Sequence, residues 1–282
     1  MSHKTLLFVP GNSPGMLMNL DILGADAVLI DLEDAVALSE KDAARDLVEE
    51  ALTTFSFTTD LYVRINPLDS PYFEEDVRRM AKLPLKGILL AKASVESVKA
   101  LDERLGEDME IMALIESALG VECAMAILQA SPKVKGVLLG AEDLTLDLGA
   151  RRTKESGEIA YARSRIVSVA RALGLEAVDT PFTDVEDLEG LKKDAKAGKD
   201  LGMTGKALIS PRHVDVVNRV YQPTAEEIEQ ALRIGYALKE ARDKGLGAFS
   251  VDGKMVDAPI LRRARNTLIE AKKEGIAHEL FD

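Results

Sequence analysis

The 282-residue chain carries 36 Lys and Arg against 48 Asp and Glu, a net charge of −12, with 46% hydrophobic residues. That much apolar material supports a large core and excludes a disordered chain, while the acidic balance argues against a nucleic-acid or anionic-membrane surface, which needs clustered Lys and Arg. The lone Cys123 excludes a disulfide framework or multi-cysteine metal site. No stretch nears the ~20 apolar residues that span a bilayer, and residues 1–4 lack the apolar core of a signal peptide, so a cytoplasmic location is expected.

Short apolar runs recur in chain order at 5–9 (TLLFV), 27–30 (AVLI), 61–65 (LYVRI), 87–90 (GILL), 111–115 (IMALI), 136–139 (GVLL), 175–178 (LEAV) and 206–209 (KALI). They are continuous, not alternating, as strands buried on both faces are. Amphipathic stretches such as 40–52, 96–105, 120–129 and 161–173 lie between them. Eight strand–helix units over residues 1–222 predict an α/β fold, a (β/α)8 TIM barrel. The competing doubly wound sheet would need a glycine-rich first turn, which is missing.

Residues 223–282 read as an extension. Thr224 caps a helix that Gly245 and Gly247 end; 248–251 and 254–256 flank Asp252-Gly253 as a type I′ hairpin; a last helix follows Pro259. Its small apolar content predicts packing on the barrel or on a neighbouring subunit.

Chemistry in such barrels sits at the C-terminal ends of the strands. The residues just past each run are Pro10-Gly11-Asn12; Asp31, Glu33 and Asp34; Asn66, with Arg64 inside its run; Lys92; Glu116; Gly140-Ala141-Glu142-Asp143; Asp179; and Ser210-Pro211. Glu116 and Asp143 follow apolar strands, so both carboxylates point into the barrel mouth. Two carboxylates without a neighbouring histidine suit a hard cation such as Mg2+ completed by water and substrate oxygens; a charge network with Arg64 or Lys92 is the structural alternative. Arg64 is the natural fork for a substrate carboxylate, or a counter-ion to the acidic run. Asp31, Glu33 and Asp34 are expected to orient Arg64 and Lys92, not to bind metal.

Some motifs mislead. Gly11-Asn12-Ser13-Pro14-Gly15 matches G-x-S-x-G, but Pro14 has no N–H for an oxyanion hole, and none of His3, His213 and His278 is placed as a triad base. Gly202-Met203-Thr204-Gly205-Lys206 has the wrong spacing for a phosphate loop and reads as the turn into strand eight. His213 is expected as a hydrogen-bonded surface or helix residue, and Cys123 as core packing.

The ordered motifs LLFVPGNSPGML, GADAVLIDLEDAV, VRIN, ALIESALGV, GAEDLTLDLG, AVDTPFTDVEDLEG, LGMTGKALISPRHVDVVNRVYQPT and DGKMVDAP cover nearly the whole chain. In them the chain resembles the beta chains of citrate lyase, within the HpcH/HpaI-type aldolase superfamily. The resemblance implies a metal-dependent barrel enzyme, assembled as a trimer or hexamer, that cleaves a citryl thioester to oxaloacetate and an acetyl thioester. It implies Mg2+ on Glu116 and Asp143, Arg64 as a catalytic, substrate-binding residue, and the backbone of Gly140, Ala141, Glu142 and Asp143 against the oxaloacetate carboxylate. Lys92 is a further substrate-binding candidate, and Asp257 an acid/base supplied in trans by the extension. The implied partners are citryl-CoA or citryl-acyl carrier protein, and alpha and gamma subunits. Ala91-Lys92-Ala93-Ser94 keeps the lysine of the family's Pro-Lys-Val-Glu but not its glutamate, and Lys4 stands where an arginine is common. Malyl-CoA or citramalyl-CoA lyase or thioesterase activity, a non-catalytic complex subunit, and a Schiff-base aldolase using Lys92 between two alanines are the rivals.

Overall fold

The computed structural model describes residues 3–243, 249–273 and 275. These form two compact units, Met1–Asn218 and Arg219–Asp282. In the first, strands β1 (Thr5–Pro10), β2 (Ala27–Asp31), β3 (Asp60–Ile65), β4 (Gly87–Leu90), β5 (Glu110–Ile115), β6 (Val134–Leu139), β7 (Glu176–Asp179) and β8 (Gly205–Leu208) close into a barrel in sequence order. All pairs are parallel, and β8 returns to β1 with Thr5 opposite Lys206. The expected (β/α)8 barrel is therefore present, each strand lying within two residues of its apolar run.

Alternation explains why the runs are apolar throughout. Leu6, Ala27, Leu29, Tyr62, Leu89, Met112, Leu114, Leu138, Val178 and Ala207 form the interior cluster. Their neighbours Leu7, Val28, Ile30, Val63, Ile88 and Val137, equally buried, take the opposite parity, toward the surrounding helices. The same parity turns Asp179 outward: it takes a double contact from Arg163 at 2.8 Å and meets Lys206 Nζ at 3.0 Å, with Asp194 completing a buried network. The Gly202–Lys206 segment is thus the turn into β8, and its lysine a buried structural cation.

The helical expectations are refined in two places. The amphipathic stretch 120–129 is not one helix: it breaks at Cys123 into Ala118–Glu122 and Ala124–Leu128. The break changes the helical phase, so Cys123 is exposed and not packed in the core. Of the two settings expected for His213, the structure selects the helix: it is hydrogen-bonded and fully buried at the end of the 3-10 helix Pro211–His213, with Nε2 on the Val185 carbonyl at 3.1 Å.

The second unit has an apolar cluster of its own, in which Ile228, Ile234, Val256, Ala264 and Leu268 pack together. Thr224 and Glu227 form a reciprocal cap on helix Ala225–Asp243. Phe249–Val251 and Lys254–Val256 pair antiparallel across Asp252 and Gly253, whose φ values of 51° and 75° are those of a type I′ turn. Gly245, Gly247 and Ala248 lie outside the described residues. Among the described residues no helix is long and apolar enough to cross a membrane.

The N-terminal end of the barrel carries a cluster of paired charges around a cavity. His3 Nε2 lies 3.0 Å from Asp60 and Nδ1 3.0 Å from Glu176, and Tyr62 Oη donates to Glu110 at 2.8 Å. Burial alone would lower the His3 pKa, but the carboxylates of Glu176 and Asp60 outweigh it and raise it to about 8. A raised histidine stabilises the fold fully below its unfolded value of ~6.5 and loses that contribution as pH climbs through the folded value. His3→Gln should therefore cost on the order of 1–2 kcal/mol near pH 6 and little near pH 9, read from denaturant midpoints at both pH values; an equal loss at both would mean the imidazolium contributes nothing.

Candidate active site

A cavity of about 430 Å³ opens at the C-terminal mouth of the barrel, lined by residues including Arg64, Glu116, Gly140, Asp143 and Thr180. The β2–β3 register places Asp31 directly beside Arg64. Arg64 grips Asp31 with two parallel bonds, Nε to Oδ1 at 2.7 Å and Nη2 to Oδ2 at 2.5 Å. The guanidinium lies over the Phe8 ring, 5.0 Å from its centroid. Burial opposes its charge, but Asp31 and Glu33 outweigh that and hold Arg64 firmly protonated. Of its two forked edges, the one formed by Nε and Nη2 is taken by Asp31, while Nη1 on the terminal edge faces Glu33 and, farther off, Asp34.

The acidic loop is held from behind. Asp31 accepts the N–H groups of Glu33 and Ala35. The buried Lys41 ammonium donates to the carbonyls of Leu32 at 2.7 Å and Glu33 at 2.6 Å, and to Asn66 Oδ1 at 2.8 Å. Asn66 bonds Asp76, which takes Arg45 at 2.8 Å. Glu33 Oε2 is 2.9 Å from Arg64 Nη1 as an ion pair, yet the alignment is not that of a hydrogen bond, and this buried oxygen has no donor among the described residues. Asp34 is more peripheral, 3.7 Å from Arg64 and largely exposed.

Glu116 follows β5 and is 7% exposed. Its Oε1 accepts the Lys92 backbone N–H at 2.7 Å, and that amide is aimed by a left-handed turn, Lys92 having φ 47°. The Lys92 side chain is half-exposed and reaches only to 4.0 Å from Glu33. It lacks the dry pocket a Schiff-base lysine needs. Ser94 caps helix Val95–Asp102 in a box with Ser97, so the position of the family's glutamate serves the helix here.

Asp143 lies in the first turn of helix Ala141–Asp147 and lines the same cavity as Glu116. Burial first, then the nearby charges of Glu33 and Asp143, push the Glu116 carboxyl up to about 7; burial pushes Glu33 to about 7 as well. A buried carboxyl whose charge is opposed by its surroundings, with a second carboxylate on the same cavity, fits a divalent cation, which would hold it charged. Gly140 keeps the space: a Cβ there would lie 2.7 Å from Glu116 Cβ and 2.8 Å from its Oε2. Among the described residues no three acidic, His or Cys groups form a complete metal cage; the pair Glu116 and Asp143 on one cavity is a donor set of the kind Mg2+ takes, one or two carboxylates with water and substrate oxygens filling the rest. In the stretch 140–143, the Gly140 N–H is bonded to Ile115 O at 2.9 Å and the Ala141 N–H to Thr180 Oγ1 at 3.1 Å. The amides of Glu142 and Asp143 are those left for a ligand. The Glu142 side chain points away to Arg152, 3.1 Å from its Nε. Asp257 belongs to the second unit, where it is exposed and its Oδ1 caps helix Ala258–Lys273 through the Ile260 N–H at 3.1 Å.

Strand-end reading named Arg64, Glu116 and Asp143, and the cavity brings them together. It missed Lys41, which sits in a helix and carries no strand-end signal, and Thr180, which follows Val178 at inward parity and was legible by counting two residues on.

A closed parallel barrel with paired carboxylates and an arginine fork at its C-terminal mouth defines an enzyme whose class binds small substrates over a metal. The chain belongs to the HpcH/HpaI aldolase/citrate lyase family, which residues 4–211 match. It is 42% identical to the citrate lyase subunit beta of Leuconostoc mesenteroides subsp. cremoris, over 94% of this chain and 92% of that one. The CitE protein of Mycobacterium tuberculosis, solved with magnesium, acetoacetate and coenzyme A, superposes with a TM-score of 0.81 at 31% identity, covering 96% of this chain and 98% of that one. A citrate lyase beta subunit from M. tuberculosis, complexed with oxaloacetate and magnesium, gives a TM-score of 0.69 at 30% identity over 79% and 98% of the two chains.

Gly140→Ala should displace the Glu116 carboxylate. We expect Mg2+ affinity by calorimetry to fall at least about tenfold while the fold loses only about 1–3 kcal/mol. Unchanged Mg2+ binding would show that Glu116 needs no room at Gly140.

Proposed function

We propose that this chain is a Mg2+-dependent carbon–carbon lyase that cleaves a citryl thioester to oxaloacetate and an acetyl thioester. The observation that carries the reading is the convergence of Glu116, Asp143 and Arg64 on one cavity at the C-terminal mouth of the barrel. It is supported by relatives that are citrate lyase beta subunits and by solved neighbours holding magnesium and oxaloacetate.

Glu116 and Asp143 would hold the Mg2+, which supplies Lewis-acid stabilisation of developing oxygen charge when bound. The terminal Nη1 of Arg64, which faces Glu33 without a hydrogen bond to it, binds a substrate carboxylate and, because Asp31 and Phe8 fix the guanidinium plane, orients it before reaction. The amides of Glu142 and Asp143 are placed for a second carboxylate contact. The reaction is a retro-Claisen cleavage. A base takes the proton of the tertiary hydroxyl, the hydroxyl-bearing carbon becomes the ketone carbon of oxaloacetate, and the broken C–C pair passes to the acetyl thioester as its enolate. Return of one proton to the enolate carbon completes the balance.

We assign that acid/base to Asp257 from the extension of a neighbouring chain. Capping uses Oδ1; Oδ2 remains for proton transfer. The reading implies a homotrimer or hexamer working on citryl-CoA or citryl-acyl carrier protein, with alpha and gamma subunits as partners.

Glu116→Ala and Asp143→Ala should each abolish cleavage and Mg2+ binding with an unchanged circular-dichroism spectrum. EDTA should silence the wild type and added Mg2+ restore it; full turnover in chelator would overturn the metal role. For Asp257, the measurement is complementation. Asp257→Ala and Glu116→Ala, inactive singly, should recover partial activity after being unfolded and reassembled together. Inactive hybrids of confirmed mixed composition would return Asp257 to a capping role alone.

A further inference from the structure

Thr180 follows the last residue of β7 and is tied at both ends. Its hydroxyl oxygen accepts the Ala141 N–H at 3.1 Å, and its carbonyl accepts Lys206 Nζ at 2.6 Å. Lys206 is fully buried and clamped by Asp179 at 3.0 Å and Asp194 at 2.6 Å. Thr180 is only 1% exposed, yet it lines the cavity that Arg64, Glu116 and Asp143 share.

A hydroxyl has one donor and two acceptor positions. Accepting from Ala141 uses one lone pair and leaves the proton, and none of the described residues accepts it. A buried donor without a partner is costly unless a ligand supplies one. The Ala141 N–H also polarises the hydroxyl and strengthens it as a donor. Ala141 cannot reach a ligand itself, because its N–H is spent on Thr180; the hydroxyl passes that donor on into the cavity. Next to it in the chain stand the amides of Glu142 and Asp143, so three uncharged donors adjoin one another. Uncharged donors grouped in this way, with an arginine in the same cavity, suit a carboxylate.

We propose that Thr180 is a substrate-binding residue whose Oγ1–H donates to the carboxylate of the 2-oxo-acid half of the substrate. The inference deepens the citryl-thioester reading and rests on it.

Thr180→Val keeps the shape and removes the hydroxyl; Thr180→Ser keeps the hydroxyl. Calorimetric titrations with Mg2+ alone, and with oxaloacetate at saturating Mg2+, separate the roles. The expected result is oxaloacetate affinity down by about tenfold or more in Thr180→Val, Mg2+ affinity within about twofold, and Thr180→Ser within about threefold of wild type for both. Wild-type oxaloacetate affinity in Thr180→Val overturns the proposal. So does an equal loss of Mg2+ affinity, since the residue would then only hold Ala141 and the helix bearing Asp143. If Thr180→Val does not fold, Thr180→Ala against Thr180→Ser gives the same comparison. Failure of the wild type itself to bind oxaloacetate with Mg2+ present would overturn the lyase reading and this proposal with it, and is distinguished by appearing before any substitution.

Discussion

The pairing of Arg64 with Asp31 is the contact on which the site is organised. The two residues are register partners on adjacent parallel strands, and both point inward at the rim of the barrel. A guanidinium in this position would be mobile without a planar partner. The parallel bonds from Asp31 and the face of Phe8 remove that freedom. Asp31 in turn accepts two loop amides, and Lys41 holds the next two carbonyls, so the acidic loop cannot swing without breaking buried bonds. Removing one member of such a network leaves an uncompensated buried charge, which typically costs about 3–5 kcal/mol.

The two ends of the barrel solve opposite electrostatic problems. At the N-terminal end each carboxylate has a donor close by: His3 lies between Asp60 and Glu176, and Glu110 takes Tyr62 and Lys86. At the C-terminal end Glu116 is buried with one backbone donor, and Asp143 has no hydrogen-bond or ion-pair partner among the described residues. The first arrangement stabilises the chain. The second stores unfavourable charge that a divalent cation would relieve, as expected where a fold separates its stability face from its catalytic face.

The buried Arg163–Asp179–Asp194–Lys206 network links these themes. It lies outside the strand cylinder, between β7, β8 and the helices that cover them, yet it grips the Thr180 carbonyl at the cavity wall. The position of a polar wall residue is thereby set by ion pairs that themselves never meet a ligand.

The amino-acid order alone marked out the eight strands, because continuous apolar runs at strand length read as strands buried on both faces, and eight of them alternating with helical stretches without a glycine-rich first turn favour the barrel over the doubly wound sheet. It also placed Arg64, Glu116 and Asp143 at strand ends, and wrote the Asp252-Gly253 hairpin through turn chemistry that is local. Only the tertiary structure decided what depends on phase or on distant partners. Cys123 is exposed because a helix breaks beneath it; Asp179 is structural and Thr180 lines the cavity because parity separates neighbours; the Lys92 N–H meets Glu116 from a residue whose φ is positive. Local patterns record which residues are apolar or turn-forming. The direction of a polar side chain, and the charge it meets, is set by segments tens to more than a hundred residues away, which no short window of sequence contains.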